Sequence, residues 1–127
     1  MTTPLLKLDI VAFPVSDWQR SKTFYAETLG LPVAAYLGDE IGWMEFGERN
    51  CVHLAIRRWD GPEPFPEVTG GGVAVFGVPD AYTAVAELRR KGVRCEDVIA
   101  IPQTVTYADF YDPDGNRLQV VGPPPEC

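Results

Sequence analysis

The segment FPVSD at residues 13–17 is followed by a related segment, FGVPD, at residues 76–80. In both places an apolar run ends and a stretch with helical periodicity begins. A second correspondence lies farther along the chain, where WMEF at residues 43–46 matches YADF at residues 107–110. Because the related segments recur in the same order and at nearly the same spacing, they indicate an internal repeat of one structural unit.

Each copy begins with the signals of one helix. Ser16, with Gln19 three residues later, has the pattern of a capping box and predicts a first helix over residues 17–29. Asp80 predicts the cap of a second helix, over residues 80–91. In both stretches the apolar side chains recur at helical spacing, which predicts that each helix packs one face against a sheet.

Three strand-like segments follow each helix. They span residues 32–37, 41–46 and 51–57 in the first copy and residues 93–101, 104–111 and 117–121 in the second. The pattern predicts an α+β fold in which two βαβββ modules form curved mixed sheets around a cavity. Within one domain spanning residues 1–127, we place module 1 at residues 6–58, a Pro- and Gly-rich linker at 59–71 and module 2 at 72–122.

Strand alternation separates two faces in each predicted sheet. The face with the larger apolar side chains, among them Val52, Leu54 and Ile56, is expected under the helix, while Cys51 and Ala55 belong to the open face. The side chains predicted to contact a ligand on the open faces are Trp43, Glu45, His53, Tyr107, Asp109 and Gln119. This mixture of aromatic, polar and charged groups is typical of a ligand pocket, although a polar sheet face in contact with solvent gives the same alternation.

Composition narrows the range of partners. Lys and Arg number 11 against 18 Asp and Glu, and the resulting formal charge of −7 disfavours nucleic acid. We expect a cytoplasmic protein with no membrane partner, because no apolar stretch reaches the length of a span and the N-terminal residues lack an export signal. Two half-covered sheets would also leave apolar edges, which predicts a homodimer.

Four short motifs give the chain a family resemblance. They are VSD at residues 15–17, FY at 24–25, LG at 29–30 and DPDGN at 112–116, the last of which is also a strong turn signal. In this order and spacing they resemble the vicinal-oxygen-chelate superfamily, which includes glyoxalase I, bleomycin-resistance proteins and extradiol dioxygenases. The resemblance covers essentially the whole chain and implies two βαβββ modules around a cavity, commonly in a dimer.

The resemblance also implies where a metal would bind. Metal-dependent members place their ligands on the first and last strands of each module, and the matching positions here are Ile10, His53, Val73 and Gln119. Isoleucine and valine have no lone pair to donate, and His53 is the only histidine in the chain. Because a divalent metal needs about three protein donors, we expect a metal-free branch of the superfamily with no cofactor.

The leading hypothesis is a binding protein that sequesters a small aromatic molecule, such as an antibiotic. One form of the hypothesis adds that the ligand carries a positive charge. Trp43 and Tyr107 would stack on the ligand, and Glu45 or Asp109 would pair with a positive group. The alternative is a metal-free isomerase, cyclase or lyase that moves protons with His53, or with Glu45 and Asp109. A metal-dependent glyoxalase or dioxygenase is disfavoured, and a purely structural role for His53 stays open.

Overall fold

The computed structural model describes residues 8–66 and 72–122. The chain divides into two compact units with the boundary between Asp60 and Gly61. Each unit contains one four-stranded sheet and one helical segment, in the order βαβββ. The α+β fold of two modules, predicted from the internal repeat, is confirmed.

Module 1 is the unit that ends at Asp60. Its elements are β1 (Ile10–Val15), α1 (Trp18–Thr23) with a helical extension (Phe24–Thr28), β2 (Val33–Tyr36), β3 (Trp43–Phe46) and β4 (His53–Arg58). The strand order is β1-β4-β3-β2. The pair β1 and β4 is parallel and the other two pairs are antiparallel, so the sheet is mixed.

Module 2 repeats this arrangement. Its elements are β5 (Ala74–Gly77), α2 (Ala81–Arg90), β6 (Ile99–Ile101), β7 (Val105–Tyr111) and β8 (Arg117–Gly122). The strand order, β5-β8-β7-β6, is that of module 1 with each strand replaced by its counterpart. Again only the first and last strands of the module run parallel.

The cap of α1 differs from the prediction. Ser16 was expected to cap the helix, but Asp17 does so, because its carboxylate accepts a hydrogen bond of 3.1 Å from the backbone N–H of Arg20. Asp17 has the extended backbone that an N-cap requires, so its short side chain lies over the first turn of the helix and meets the N–H of Arg20. The prediction of a Ser16 capping box was therefore wrong.

The first helix also changes geometry at its middle. Residues Phe24–Thr28 form a π-helical turn, in which the N–H of Leu29 donates to the carbonyl of Phe24 over 2.8 Å. The wider turn brings two consecutive aromatic side chains to the buried face, since Phe24 and Tyr25 are both buried. Tyr25 stacks on Phe46 of β3, with ring centroids 5.7 Å apart. The predicted helix over residues 17–29 is therefore α-helical only in its first part, Trp18–Thr23.

The second helix follows its prediction closely. The carboxylate of Asp80 accepts a hydrogen bond of 3.0 Å from the backbone N–H of Tyr82, which confirms Asp80 as the N-cap. The last turn carries Arg89 and Arg90, where the helix dipole favours cations. Among the residues that the structure describes, no helix is long and apolar enough to cross a membrane.

Strand β6 is shorter than predicted. Residues 93–101 were expected to form one strand, but only Ile99–Ile101 does. The N–H of Val93 donates to the carbonyl of Leu88 over 3.0 Å and therefore belongs to the end of α2. Cys95 forms an isolated bridge with Phe110 of β7, and regular pairing begins only at Ile99.

The core confirms most of the assignment of faces. Leu54 and Ile56 are buried as predicted, and so are the corresponding residues of the second module. Val52, also expected under the helix, is 49% exposed because it precedes the start of β4. Ala55, expected on the open face, is fully buried, since its small side chain lies between those of neighbouring strands, next to Glu45.

The predicted turn at residues 112–116 forms with its aspartate inside. One carboxylate oxygen of Asp112 accepts from the backbone N–H groups of Asp114, over 2.9 Å, and of Asn116, over 2.8 Å. The other accepts from the Asn116 side-chain amide over 2.7 Å. Gly115 has a φ of +86°, a conformation that glycine adopts without strain. The Asp112 carboxylate thus accepts hydrogen bonds from backbone N–H groups that find no backbone acceptor in the tight turn.

The first residue of the predicted linker, Trp59, is hydrogen-bonded to module 1. The N–H of Trp59 donates to the carbonyl of Val15 over 3.0 Å, so the residue still pairs with β1. The guanidinium of Arg57 lies over the Trp59 ring, 5.1 Å from its centroid. Residues 67–71 of the predicted linker lie outside the described residues.

Candidate functional site

The two modules place a carboxylate at the same point of their sheets. Glu45 on β3 lies opposite Ala55 on β4, and Asp109 on β7 lies opposite Gln119 on β8. The hairpins of the two modules are thus in the same register, with Glu45 equivalent to Asp109. Both side chains are partly accessible, with exposed fractions of 16% for Glu45 and 20% for Asp109.

In module 1 the predicted ligand-contacting side chains form one hydrogen-bonded cluster. The indole N–H of Trp43 donates to one carboxylate oxygen of Glu45 over 2.9 Å. The other oxygen lies 2.9 Å from Nδ1 of His53. The structure therefore brings Trp43, Glu45 and His53 together, and each carboxylate oxygen has its own partner.

Both ring nitrogens of His53 face oxygen atoms. Nδ1 faces the Glu45 carboxylate, and Nε2 lies 3.3 Å from the backbone carbonyl of Glu48. A neutral imidazole could donate to only one of them, whereas the protonated ring donates to both. The hydrogen bond to Glu45 accordingly raises the pKa of His53. In turn, the hydrogen bonds from His53 and Trp43 lower the pKa of Glu45.

In module 2 the equivalent carboxylate has different partners. The side-chain amide of Gln119 donates to Asp109 over 2.9 Å, and the guanidinium of Arg117 lies 3.6 Å from the other carboxylate oxygen. Tyr107 is half-buried on β7, two residues before Asp109, with Ile99 and Val121 as its neighbours across the strands. The structure thus joins Asp109 to Gln119, while Tyr107 flanks the pair.

The strand register revises one match between the modules. The sequence comparison paired His53 with Gln119, but Phe46 lies opposite Leu54 just as Phe110 lies opposite Leu118. The residue before Leu118 is Arg117, so Arg117 is the counterpart of His53. The match was two residues off because the hairpin turns differ in sequence, and a shift of two residues in a strand leaves the face unchanged.

The positions implied for a metal do not fit one. Ile10 lies opposite His53, and Val73 lies just before β5, so the first strands offer aliphatic side chains there. Gln119 lies opposite Val75 and already donates to Asp109. Across residues 8–66 and 72–122, no three His, Cys, Asp or Glu side chains are grouped as metal ligands. These residues do not provide the donor set that a divalent metal requires.

Module 1 contains a second polar group, which the sequence did not predict. Asp39, in the turn between β2 and β3, accepts hydrogen bonds from Trp18, Gln19, Lys22 and Tyr36. Trp18 and Lys22 are one helical turn apart, which places them on the same side of α1. Their common partner lies about twenty residues away in a loop, and no local pattern in the sequence connects them.

The chain matches known proteins over nearly its whole length. The sequence profile of the Glyoxalase/Bleomycin resistance protein/Dioxygenase superfamily matches residues 7–120. YwkD, an uncharacterized protein of Bacillus subtilis strain 168, is 29% identical over 117 residues, which are 87% of this chain and 91% of that protein.

Solved structures agree with this match. A glyoxalase/bleomycin resistance protein from Streptomyces sp. CB03234 is 26% identical with a TM-score of 0.68, over 90% of this chain and 98% of that one. TnmS3, an antibiotic binding protein from the same Streptomyces, shares the fold with a TM-score of 0.75 and 24% identity, over 98% of this chain and 100% of that one. The chain belongs to the Glyoxalase/Bleomycin resistance protein/Dioxygenase superfamily.

Proposed function

We propose that the protein sequesters an aromatic, positively charged small molecule without the help of a metal. The observation that carries the proposal is the equivalent placement of Glu45 and Asp109, each hydrogen-bonded in place and each with an aromatic side chain two residues before it. An aromatic surface beside a carboxylate is suited to a flat cation. Trp43, Glu45, His53, Tyr107, Asp109 and Gln119 are the proposed contacts.

The geometry of the carboxylates supports this function. Both are more than three-quarters covered, so water screens an ion pair with a ligand less than it would on an open surface. Their internal hydrogen bonds orient the oxygens before a ligand arrives, which lowers the entropy that binding costs. The bond from Trp43 to Glu45 orients the indole ring in the same way.

The relatives support a binding role of this kind. TnmS3 is described as an antibiotic binding protein, and another structural neighbour from the same Streptomyces as a glyoxalase/bleomycin resistance protein. The missing donors at Ile10 and Val73 favour a metal-independent branch for this chain. We therefore favour binding over metal-assisted catalysis.

A second candidate function is metal-free acid–base catalysis. Its support is the distance of 2.9 Å between Glu45 and Nδ1 of His53, because a carboxylate that orients an imidazole is a common proton-transfer unit. The carbonyl of Glu48 faces the other ring nitrogen, so His53 would have to release that contact to act as a base. If an isomerase, cyclase or lyase substrate is found, a His53→Ala variant with full activity would exclude this role.

We also infer that the protein works as a cytoplasmic homodimer. Support comes from large apolar side chains that are about half exposed on the edge strands of both sheets, namely Val33, Tyr36, Ile99 and Ile101. An exposed apolar edge strand offers unpaired backbone groups to which a second chain can pair. Light scattering at micromolar concentration should give twice the chain mass of 14.0 kDa, and a species of 14.0 kDa alone would contradict the inference.

Binding can be tested by isothermal titration of the chelator-treated protein. The panel should contain cationic and neutral aromatic antibiotics, with metal-free bleomycin and mitomycin C as its first members. We expect saturable binding of at least one cationic aromatic compound. A Glu27→Gln variant, which removes an exposed carboxylate from the first helical segment, is the matched control and should bind equally well. A panel in which nothing binds, or binds only after metal is added, would contradict the proposal.

A further inference from the structure

Four hydrogen-bond donors converge on the carboxylate of Asp39. The indole N–H of Trp18 donates to Oδ1 over 2.8 Å, and the ammonium of Lys22 donates to the same oxygen over 2.7 Å. The hydroxyl of Tyr36 also donates to Oδ1. The side-chain amide of Gln19 donates to Oδ2 over 3.2 Å. We call these four donor residues the carboxylate cradle.

The residues of the cradle also have contacts that do not involve Asp39. Trp18, Gln19 and Lys22 project from α1, and Trp18 is only 6% exposed, so its indole has a fixed place in the core. The ammonium of Lys22 lies 3.1 Å from the hydroxyl of Tyr36 and 5.0 Å from the centroid of its ring. These contacts join α1 to β2 and keep a positive charge beside two neutral donors.

Asp39 enters the cradle from a separate loop. The loop follows β2 and closes on itself where the N–H of Gly42 donates to the carbonyl of Gly38 over 2.9 Å. Gly42 has a φ of +71°, and a Cβ at this position would lie 2.6 Å from that of Arg58, so the return of the loop needs glycine. The guanidinium of Arg58 donates to the carbonyls of Asp39 and Glu40.

The side chain of Asp39 remains 50% exposed although its oxygens accept four hydrogen bonds. Solvent therefore reaches the carboxylate, and a solute of similar chemistry could reach the same place. Removing the aspartate would leave a lysine without its counter-ion and a buried indole N–H without an acceptor. A small carboxylate can satisfy both through charge-assisted hydrogen bonds.

We propose that the cradle of Trp18, Gln19, Lys22 and Tyr36 is a carboxylate-binding site in which Asp39 of the same chain is the resident ligand. An external carboxylate binds there when Asp39 is withdrawn or removed. Because the loop holds Asp39 at a high effective concentration, on the order of millimolar or above, the intact protein binds external carboxylates weakly. The site is separate from the cluster of Trp43, Glu45 and His53, so the two proposals can fail independently.

The test is a titration of an Asp39→Ala variant with sodium acetate, against sodium chloride at the same ionic strength. The readout is the indole N–H signal of Trp18 in a ¹H–¹⁵N spectrum, assigned with a Trp18→Phe variant. We expect a saturable, acetate-specific shift in Asp39→Ala and none in the intact protein. A Glu27→Ala variant, which removes an exposed carboxylate from the same module, should behave as the intact protein does.

Lys22 provides the second arm of the test. Adding Lys22→Met to Asp39→Ala should weaken acetate binding about tenfold or more, because the only full positive charge of the cradle is lost. A folded Asp39→Ala protein without an acetate-specific shift would overturn the proposal, and so would an equal shift in the double variant. If Asp39→Ala does not fold, Asp39→Ser leaves a shorter polar side chain in the loop and is judged by the same criteria.

Discussion

The two modules share a fold and a carboxylate position but differ in what holds the carboxylate. In module 1 the partners of Glu45 are an imidazole and an indole, and in module 2 the partners of Asp109 are an amide and a guanidinium. Both modules thus carry a carboxylate at the same point of the sheet, while the residues that hydrogen-bond or ion-pair with it differ. Equivalent carboxylates in the two modules therefore need not respond equally to pH.

Only module 1 contains a partner that titrates near neutral pH. His53 is charged below its pKa, and the raised pKa extends the range in which it pairs with Glu45. Neither a guanidinium nor an amide changes its charge in this range. We therefore expect the stability that the carboxylate and its partners contribute to depend on pH near neutrality in module 1 and not in module 2.

The largest expected effect tests whether the two cores are equivalent. Phe46 and Phe110 occupy matching positions and are 1% and 3% exposed. Replacing either with alanine should lower the free energy of unfolding by about 3–5 kcal/mol, because a ring-sized cavity remains. Urea denaturation measures the loss, and the exposed Tyr82→Ala serves as a control that should stay within about 0.5 kcal/mol. A large loss in one module and a negligible loss in the other would break the equivalence.

The next effect distinguishes the two β-hairpin turns. Asp112 is buried and accepts three hydrogen bonds, so Asp112→Ala should cost about 1–3 kcal/mol of stability. In the turn between β3 and β4, Glu48 contributes its backbone carbonyl to His53 and Cys51, so Glu48→Ala should cost less than about 0.5 kcal/mol. Equal losses in chemical denaturation would show that the side chain of Asp112 does not support its turn.

A smaller effect concerns the pH dependence of stability. The raised pKa of His53 means that its pairing stabilises the fold fully below its unfolded value of 6.5 and that this contribution is lost as pH rises through the folded pKa. The lowered pKa of Glu45 means that its contribution is present above 4.5 and is lost as pH falls through the folded pKa. The pair should therefore stabilise module 1 most between these two values.

Matched variants measure this contribution. The stability lost in His53→Asn should be greater at about pH 5.5 than at about pH 9, by up to about 1 kcal/mol for a partly exposed pair. The loss in Gln119→Ala should be the same at both pH values. A His53→Asn loss that does not vary with pH would mean that the pair has no ionic character.

The smallest effect is a change in one titration curve. Replacing Glu45 with glutamine should lower the pKa of His53 toward its ordinary value, because the hydrogen bond that the imidazole donates to the carboxylate is the main cause of the upward shift. The imidazole signal is assigned without further work, since the chain has one histidine. Asp9→Asn, which removes the smallest of the charge effects on the ring, should lower the pKa less. The opposite order would contradict the assignment of Glu45 as the partner.

Most of the fold could be predicted because it depends on local and repeated signals. The match between residues 13–17 and 76–80 predicted two modules, and Asp80 predicted the cap of α2. The π-helical turn after α1 could not be predicted from local signals, because its aromatic residues pack in the core, where Tyr25 stacks on Phe46 of a distant strand. Tertiary packing, not helix propensity, decides the geometry of that turn.

The candidate site could be predicted only in part. Alternation placed Glu45, His53 and Asp109 on one type of face, since a strand fixes the side of each residue. It could not predict that Trp43 and His53 bind the two oxygens of one carboxylate. Nor could it identify Arg117 as the counterpart of His53, because turn lengths hide the register. Asp39 was missed because three of its four partners come from α1, about twenty residues earlier in the chain.

The proposal is that Glu45 and Asp109, each in its own module, pair with a cationic aromatic ligand without a metal. Its most direct test is isothermal titration of chelator-treated Glu45→Gln and Asp109→Asn proteins with the cationic aromatic compound that binds the parent. Each variant should bind the cation about five- to tenfold more weakly, because one charge-assisted contact is lost, while a neutral aromatic ligand should bind unchanged. Unchanged affinity for the cation in both variants, or binding that requires added metal, would contradict the claim.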